Sequence, residues 1–135
     1  MSELLAVLFT IESDFTPNKE KQVRGLSALI GDPSGKTLVL AAINNGIVIG
    51  MATVQTLIST AEGGRVGLIE DVIVDKGHRR MGIGTLLLKE LVHWSRKARL
   101  KRLQLLVDLD NQPALDFYSS QRWLSTRFVC TRLPL

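Results

Sequence analysis

The sequence of 135 residues has one cysteine, Cys130. A lone thiol cannot close an internal disulfide, which suits a reducing compartment and predicts a cytoplasmic protein. The expected role of Cys130 is that of a small core or strand residue rather than a nucleophile. Aromatics are also scarce, at four Phe, two Trp and one Tyr. None is interleaved with Lys or Arg as on a base-stacking surface, so no nucleic-acid partner is predicted despite the net charge of +4. Long apolar runs are absent. The longest, Leu4 to Phe9 and Leu38 to Ile43, are too short to span a bilayer, and no membrane partner is predicted. No basic residue precedes the first run and no cleavage pattern follows it, so it is not read as a signal peptide. No metal is expected. With 45% hydrophobic and 22% charged residues and no repeat, linker or low-complexity stretch, the chain reads as one globular domain over residues 1–135.

One stretch lacks acids. Between Lys76 and Arg102 stand nine Lys/Arg and a single acid, Glu90, so this segment carries +8 while the rest of the chain sums to −4. Within it, a mostly apolar strand-like run from Val66 to Val74 passes through a basic turn into Arg79-Arg80-Met81-Gly82-Ile83-Gly84, and an amphipathic helix pattern follows. Glycines at 82 and 84 put no side chain in the way of an anion, and a nascent helix points unpaired N–H groups outward. The turn is suited to gripping a phosphate or pyrophosphate. Two familiar phosphate motifs fail here. A dinucleotide fingerprint needs a third glycine and an acid about 20 residues on; Leu87, Lys101 and Arg102 occupy those places. A phosphate loop ending in Gly-Lys-Ser/Thr is absent.

The order of elements is readable from periodicity. Ser2 is an N-cap candidate for a helix over residues 3–13. A second helix is expected from Pro17 to Ile30, burying Val23, Leu26, Leu29 and Ile30. Strands at Thr37–Ile43 and Ile47–Leu57 flank the tight-turn signal Asn44-Asn45-Gly46. A third strand follows at Arg65–Val74, after a polar loop Ser59–Gly64. A helix over 83–98 presents Ile83, Leu87, Leu91, Trp94 and Ala98, and Leu103–Val107 reads as a short buried strand. Strand, crossover helix and strand form a right-handed parallel unit in nearly all cases. Asn111 can cap a helix with Pro113 in its first turn, on which Asn111, Leu115 and Tyr118 share a face. Leu124–Leu133 reads as one or two edge strands. The fold class is α/β (α+β), a mixed sheet with an antiparallel N-terminal meander and a parallel strand–helix–strand unit, flanked by helices.

Arg-x-x-Gly-x-Gly after Val72-Ile73-Val74-Asp75 resembles the acyl-CoA binding motif of the GNAT superfamily of N-acetyltransferases. The stretch Asn111-Gln-Pro-Ala-Leu-Asp-Phe-Tyr118 is similar to that family's second motif, and together the two cover residues 66–123. The element order is the GNAT order with one departure. GNAT domains usually open with a strand, whereas this chain begins in a helix pattern, so that strand is missing or the chain starts late. The resemblance implies transfer of the acetyl group of acetyl-CoA to a primary amine, with no metal. It places the pyrophosphate on backbone N–H groups of Arg80, Met81, Gly82, Ile83, Gly84 and Thr85, with Arg79 at the motif's first position. The pantetheine arm would run along Val72, Ile73 and Val74 like an added strand, where a backbone N–H could polarise the thioester carbonyl. Asn111 would contact the cosubstrate, although capping alone would explain it.

Tyr118 matches the family tyrosine that protonates the departing thiolate, and a phenol with a pKa of about 10 is a credible acid for that task. Packing with a wet hydroxyl is its other reading. Glu70 stands where several GNAT enzymes keep a glutamate that deprotonates the amine directly or through water. Burial on an apolar strand would raise its pKa toward a useful value. Asp71 is expected on the opposite face, and a strand-end salt bridge is the alternative for both acids. The base that ribosomal-protein acetylases carry on the following strand is absent, since Leu106 occupies that place. His78 and His93 read as surface residues. Where the family usually ends its last helix in Gly-Phe, this chain has Arg122-Trp123, which removes the easy left-handed cap.

Glu70-Asp71-Val-Ile-Val with the glycine turn also looks somewhat like the glucosamine-6-phosphate N-acetyltransferases. Acceptor pockets in the family are built largely from the first helices and from the loop that corresponds to Ser59–Gly64, where no motif is visible. GNAT proteins are often dimers, so a homodimer is an assembly the resemblance implies. A non-catalytic acyl-CoA-binding or sensing module is the alternative function. A basic nucleic-acid binder, recognisable by steep salt dependence, is a third.

Overall fold

Hydrophobic spacing in the first thirty residues produces two helices rather than a strand. In the computed structural model, which describes residues 1–12 and 14–135, α1 (Ser2–Ile11) and α2 (Lys19–Ile30) precede β1 (Thr37–Asn44), β2 (Ile47–Ser59) and β3 (Gly64–Val74). A 3-10 turn (Lys76–His78), α3 (Ile83–Lys97), β4 (Leu103–Leu105) and α4 (Gln112–Ser120) complete the order. The chain forms two units, Met1–Leu105 and Leu106–Leu135.

The first unit holds the sheet, in the order β1-β2-β3-β4. β1/β2 and β2/β3 pair antiparallel and β3/β4 parallel, as expected of a meander followed by a strand–helix–strand unit. Asn45 and Gly46 both take positive φ, 47° and 78°, the geometry a two-residue hairpin turn demands. Side chains alternate across the sheet. Met51 and Ile73, partners in the β2/β3 ladder, join Leu4, Leu5, Leu8 and Leu26 in one buried cluster. On the other face Gly50 lets α3 approach closely. A Cβ there would stand 3.2 Å from Ile83 Cγ2 and 3.3 Å from Leu87 Cδ1. The sheet therefore lies between the α1/α2 pair and α3.

Several boundaries differ from the sequence expectations, each for a local reason. Met1 rather than Ser2 is the N-cap of α1, because the Leu5 N–H already reaches the Met1 carbonyl at 3.1 Å. The helix expected to reach residue 13 ends at Ile11, and Ser13 lies outside the described residues. In α2 the buried stripe is Gln22 and Leu26, while Val23 and Ile30 are 44% and 64% exposed. A polar residue occupies the inward phase because its amide is satisfied. In the orientation that pairs both ends, Gln22 donates to the Ser2 carbonyl and accepts from the Asn18 N–H, each at 3.1 Å. β4 is shorter than expected, pairing only three residues with β3.

In the second unit Leu124–Leu135 forms no strand. A strand exists only as part of a ladder, and the four sheet strands pair with one another. Cys130, expected in a core or strand, is accordingly exposed. No helix among the described residues is long and apolar enough to cross a membrane.

Candidate active site

The third strand carries an irregularity that alternation did not foretell. Ala52 pairs with Val72 and Val54 with Ile69, so the single residue Thr53 faces both Glu70 and Asp71. This is a β-bulge, one extra residue on β3. Counting from Leu68 on one side and from Ile73 on the other, it turns Glu70 and Asp71 to the same α1/α2 face. The expectation that Asp71 lies opposite Glu70 is therefore corrected. The bulge is closed by Thr53. Its hydroxyl donates to Asp71 Oδ2 at 2.8 Å and accepts from the Asp71 N–H at 3.2 Å. Burial pushes the Asp71 carboxyl above its ordinary value, and the hydrogen bond from Thr53 works in the opposite direction. Glu70 is exposed, so the burial expected for it falls on its neighbour. Two consecutive carboxylates in an apolar strand were the available sign, since strict alternation would have forced one of them into the face covered by α3.

Past Ile69 the bulged strand has an open side. β4 pairs with Gly67, Leu68 and Ile69 only, so past the bulge residues 72–74 keep their β2 ladder but have no strand on the other edge among the described residues. Gly67 allows β4 its close approach; a Cβ there would stand 2.5 Å from Leu103 Cδ2. Val72, Ile73 and Val74 thus form a strand segment to which an extended ligand can add.

The strand leads into the basic turn. Asp75 accepts from the Gly77 N–H at 3.0 Å and from His78 Nδ1 at 2.8 Å. The His78 bond, assisted by that to Gly77, holds the Asp75 carboxyl below its ordinary value. His78, read as a solvated turn residue, is thus part of the turn's support. Arg79 folds back to donate from Nε to the Val74 carbonyl at 3.0 Å. Arg80 takes φ of 63°, a left-handed conformation that costs a residue with a Cβ about 1–2 kcal/mol, and Gly82 follows at φ 79°.

Gly82 is the N-cap of α3, and no side chain caps the helix. Leu86 is the first residue to bond back, its N–H reaching the Gly82 carbonyl at 3.0 Å. The N–H groups of Ile83, Gly84 and Thr85 precede the first intrahelical bond and point along the axis. No acid sits in this first turn. Open backbone donors, a positive helix end and exposed cations fit a pyrophosphate, and the open edge of β3 leads directly to them.

On the α1/α2 face a cleft of about 1120 Å³ runs over the bulge. Glu70 and Asp71 line one part of it with Thr37 and Gln55 of the neighbouring strands, and α1, α2 and the turns after them line the rest. The Ser59–Gly64 loop contributes nothing to it, contrary to expectation. A glutamate at the strand edge, exposed to a cleft of this size, can accept a proton from a bound group.

The second unit contains the remaining candidates, Asn111 and Tyr118. Asn111 caps α4, its Oδ1 accepting from the Ala114 N–H at 3.2 Å, so capping is an observed role for it. The Tyr118 ring lies 5.3 Å from that of Phe117 and 5.9 Å from that of Trp123. The helix end keeps a left-handed cap without glycine. Arg122 itself takes φ of 64°, its N–H reaching the Ser119 carbonyl at 2.9 Å, and the Trp123 N–H reaches the Tyr118 carbonyl at 3.0 Å. This is the Schellman pattern. The sequence expectation that losing glycine removes the cap is corrected.

A family model described as Acetyltransferase (GNAT) family matches residues 3–122. No curated protein matches the chain. Among solved structures, an aminoglycoside acetyltransferase from an uncultured soil metagenomic sample is similar with a TM-score of 0.79 at 22% identity, over 98% of this chain and 84% of that one. A protein described as a transcriptional regulator from Bacillus halodurans gives a TM-score of 0.82 at 21% identity, over 100% of this chain and 91% of that one. The aminoglycoside 6'-N-acetyltransferase of Acinetobacter haemolyticus gives 0.74 at 20% identity, over 87% and 82%. At these identities the likeness shows a shared fold.

Proposed function

The chain belongs to the GNAT acetyltransferase family, and from that premise we propose that it is an N-acetyltransferase moving the acetyl group of acetyl-CoA to a primary amine. The observation that carries this reading is the uncapped α3 start at Gly82, joined without a break to the open edge of β3. One continuous segment thereby offers donors for a pyrophosphate and a strand edge for a pantetheine arm. Arg79, Arg80, Met81, Gly82, Ile83, Gly84 and Thr85 hold the pyrophosphate, and Val72, Ile73 and Val74 the arm. Acetyl-CoA supplies the acetyl group as a thioester. Glu70 takes a proton from the acceptor ammonium, directly or through water, leaving the nitrogen lone pair to attack the carbonyl carbon. A backbone N–H of Val72–Val74 holds the developing oxyanion. As the carbon–sulfur bond breaks, Tyr118 gives its phenolic proton to the leaving sulfur, the attacking nitrogen sheds its second proton to leave the neutral amide, and that proton restores the phenol through water; Asn111 fixes the start of the helix that carries Tyr118. The two units act as one catalytic domain, a reading supported by a family match that spans both.

Incubation with acetyl-CoA and a panel of amines, with products identified by mass, tests the proposal. An acetylated amine formed together with free thiol is the expected outcome. Binding of acetyl-CoA with no product from any amine would leave a non-catalytic acyl-CoA-binding module.

A further inference from the structure

Charge changes sign along the chain at the end of the proposed catalytic strand. Residues 76–102, which contain the glycine turn, carry +8, whereas residues 1–75, which build α1, α2 and the sheet up to the turn, carry nine acids against five bases. The cleft on the α1/α2 face concentrates this difference. Its lining residues include four acids, Asp14, Asp32, Glu70 and Asp71, and one base, Lys21. Two of the acids lie on β3 at the bulge. The other two lie away from it in sequence, Asp14 between α1 and α2 and Asp32 between α2 and β1. Asp32 is held in place by Ser34, whose N–H and hydroxyl donate to its two oxygens at 3.0 and 2.7 Å. These bonds hold its carboxyl below the ordinary range and keep it ionised at neutral pH.

Phe9 and Phe15, ring centroids 5.2 Å apart, add apolar surface to the same cleft. Aromatic faces also attract cations. A volume of about 1120 Å³ exceeds what a single small amine fills and suits a drug-sized molecule.

Resting on the acetyltransferase reading above, we propose that the acceptor is a small molecule with at least two ammonium groups: one is acetylated beside Glu70 and another is held by the carboxylates of the helix-end turns, Asp32 and Asp14. The same lining disfavours a phosphorylated acceptor. A phosphate would enter a cleft with four carboxylates and one ammonium, so the aminosugar phosphate suggested by the sequence is the poorer fit. Linear polyamines and multi-amino sugars share the required chemistry.

The test is a comparison of spermidine, kanamycin, glucosamine and glucosamine 6-phosphate as acceptors for wild type and Asp32→Asn. Calorimetry of the same four compounds with the CoA-loaded protein runs in parallel. The multiply charged amines should exceed glucosamine in kcat/KM by about 10-fold or more, with an advantage that shrinks at high salt. Glucosamine 6-phosphate should be the worst. Asp32→Asn should raise KM for the multiply charged amines about 5-fold with kcat unchanged and leave glucosamine unaffected, as expected for loss of one partly exposed ion pair. Preference for spermidine or for kanamycin distinguishes a linear from a sugar acceptor. Equal or better rates with glucosamine or its phosphate, or an Asp32→Asn effect common to all four, would overturn the proposal. If none is acetylated, the wider amine panel above judges the transferase reading, and calorimetry decides this inference separately. Selective binding of the multiply charged amines upholds it and its absence overturns it.

Discussion

The glycine turn and the acidic cleft meet on one strand but are built by different means. The turn is made of backbone: a left-handed glycine, a helix start with no side-chain cap, and a strand whose pairing with β4 stops at Ile69. Its ligand is specified by where N–H groups point, and contiguous residues suffice. The cleft is made of residues from α1, α2, their turns and the strands beneath them. Its ligand is specified by charge and volume gathered from distant parts of the chain. A backbone site can remain legible in sequence because glycine spacing determines it. A side-chain site can be rebuilt for another acceptor without disturbing the first, which is how one fold serves many acceptors.

Substitutions that act on chemistry, on the acceptor side or on the fold alone can break this division. The largest effect is expected from Tyr118→Phe, which removes the proposed proton donor while keeping the ring contacts with Phe117 and Trp123. Steady-state kinetics should show kcat lower by roughly 100-fold with acetyl-CoA affinity little changed, typical of losing a positioned acid. Undiminished turnover would reduce Tyr118 to packing.

Glu70→Gln should follow, with a loss of about 10- to 100-fold near neutral pH that narrows as pH rises and the free amine becomes abundant. A pH–rate profile beside a melting curve separates chemistry from folding. A folded mutant with the wild-type profile would remove Glu70 from the mechanism.

Thr53→Val addresses the bulge itself. It leaves the Asp71 carboxylate and N–H without the hydroxyl that now serves both. Denaturant unfolding should show a loss of about 1–3 kcal/mol. A neutral change would mean that the bulge needs no such clasp.

The smallest effect is a gain that depends on pH. Because burial raises the Asp71 pKa, the native state keeps this proton to higher pH than the unfolded chain does. Its contribution to stability is complete below the unfolded value of about 4 and is lost as pH rises through the native one. Asp71→Asn keeps an acceptor for Thr53 and removes that loss. It should raise Tm at neutral pH and leave it unchanged in acid. An equal shift at both pH values would put the effect in packing.

Much of the fold was legible because its signals are local. The Asn45-Gly46 turn, the period change at Thr37, the glycine turn and the Asn111 cap each lie within a few residues. What remained hidden depends on partners distant in sequence. The inward Gln22 is explained by Ser2 and Asn18, and the bulge by Thr53, eighteen residues before Asp71. The strand expected in the tail would have needed a ladder partner. Arg122 shows a different failure: glycine is the usual left-handed residue, but an arginine closes the same Schellman bonds.

The division between the two regions is tested most directly by calorimetric titration of acetyl-CoA into wild type, Gly84→Asp and Glu70→Gln. Aspartate at position 84 places bulk and negative charge among the helix-start donors, whereas glutamine at position 70 alters only the proposed acceptor side. The account predicts that Glu70→Gln binds acetyl-CoA within about 2-fold of wild type, while Gly84→Asp loses affinity by more than about 100-fold. Wild-type affinity in Gly84→Asp, or an equal loss in both variants, would contradict it.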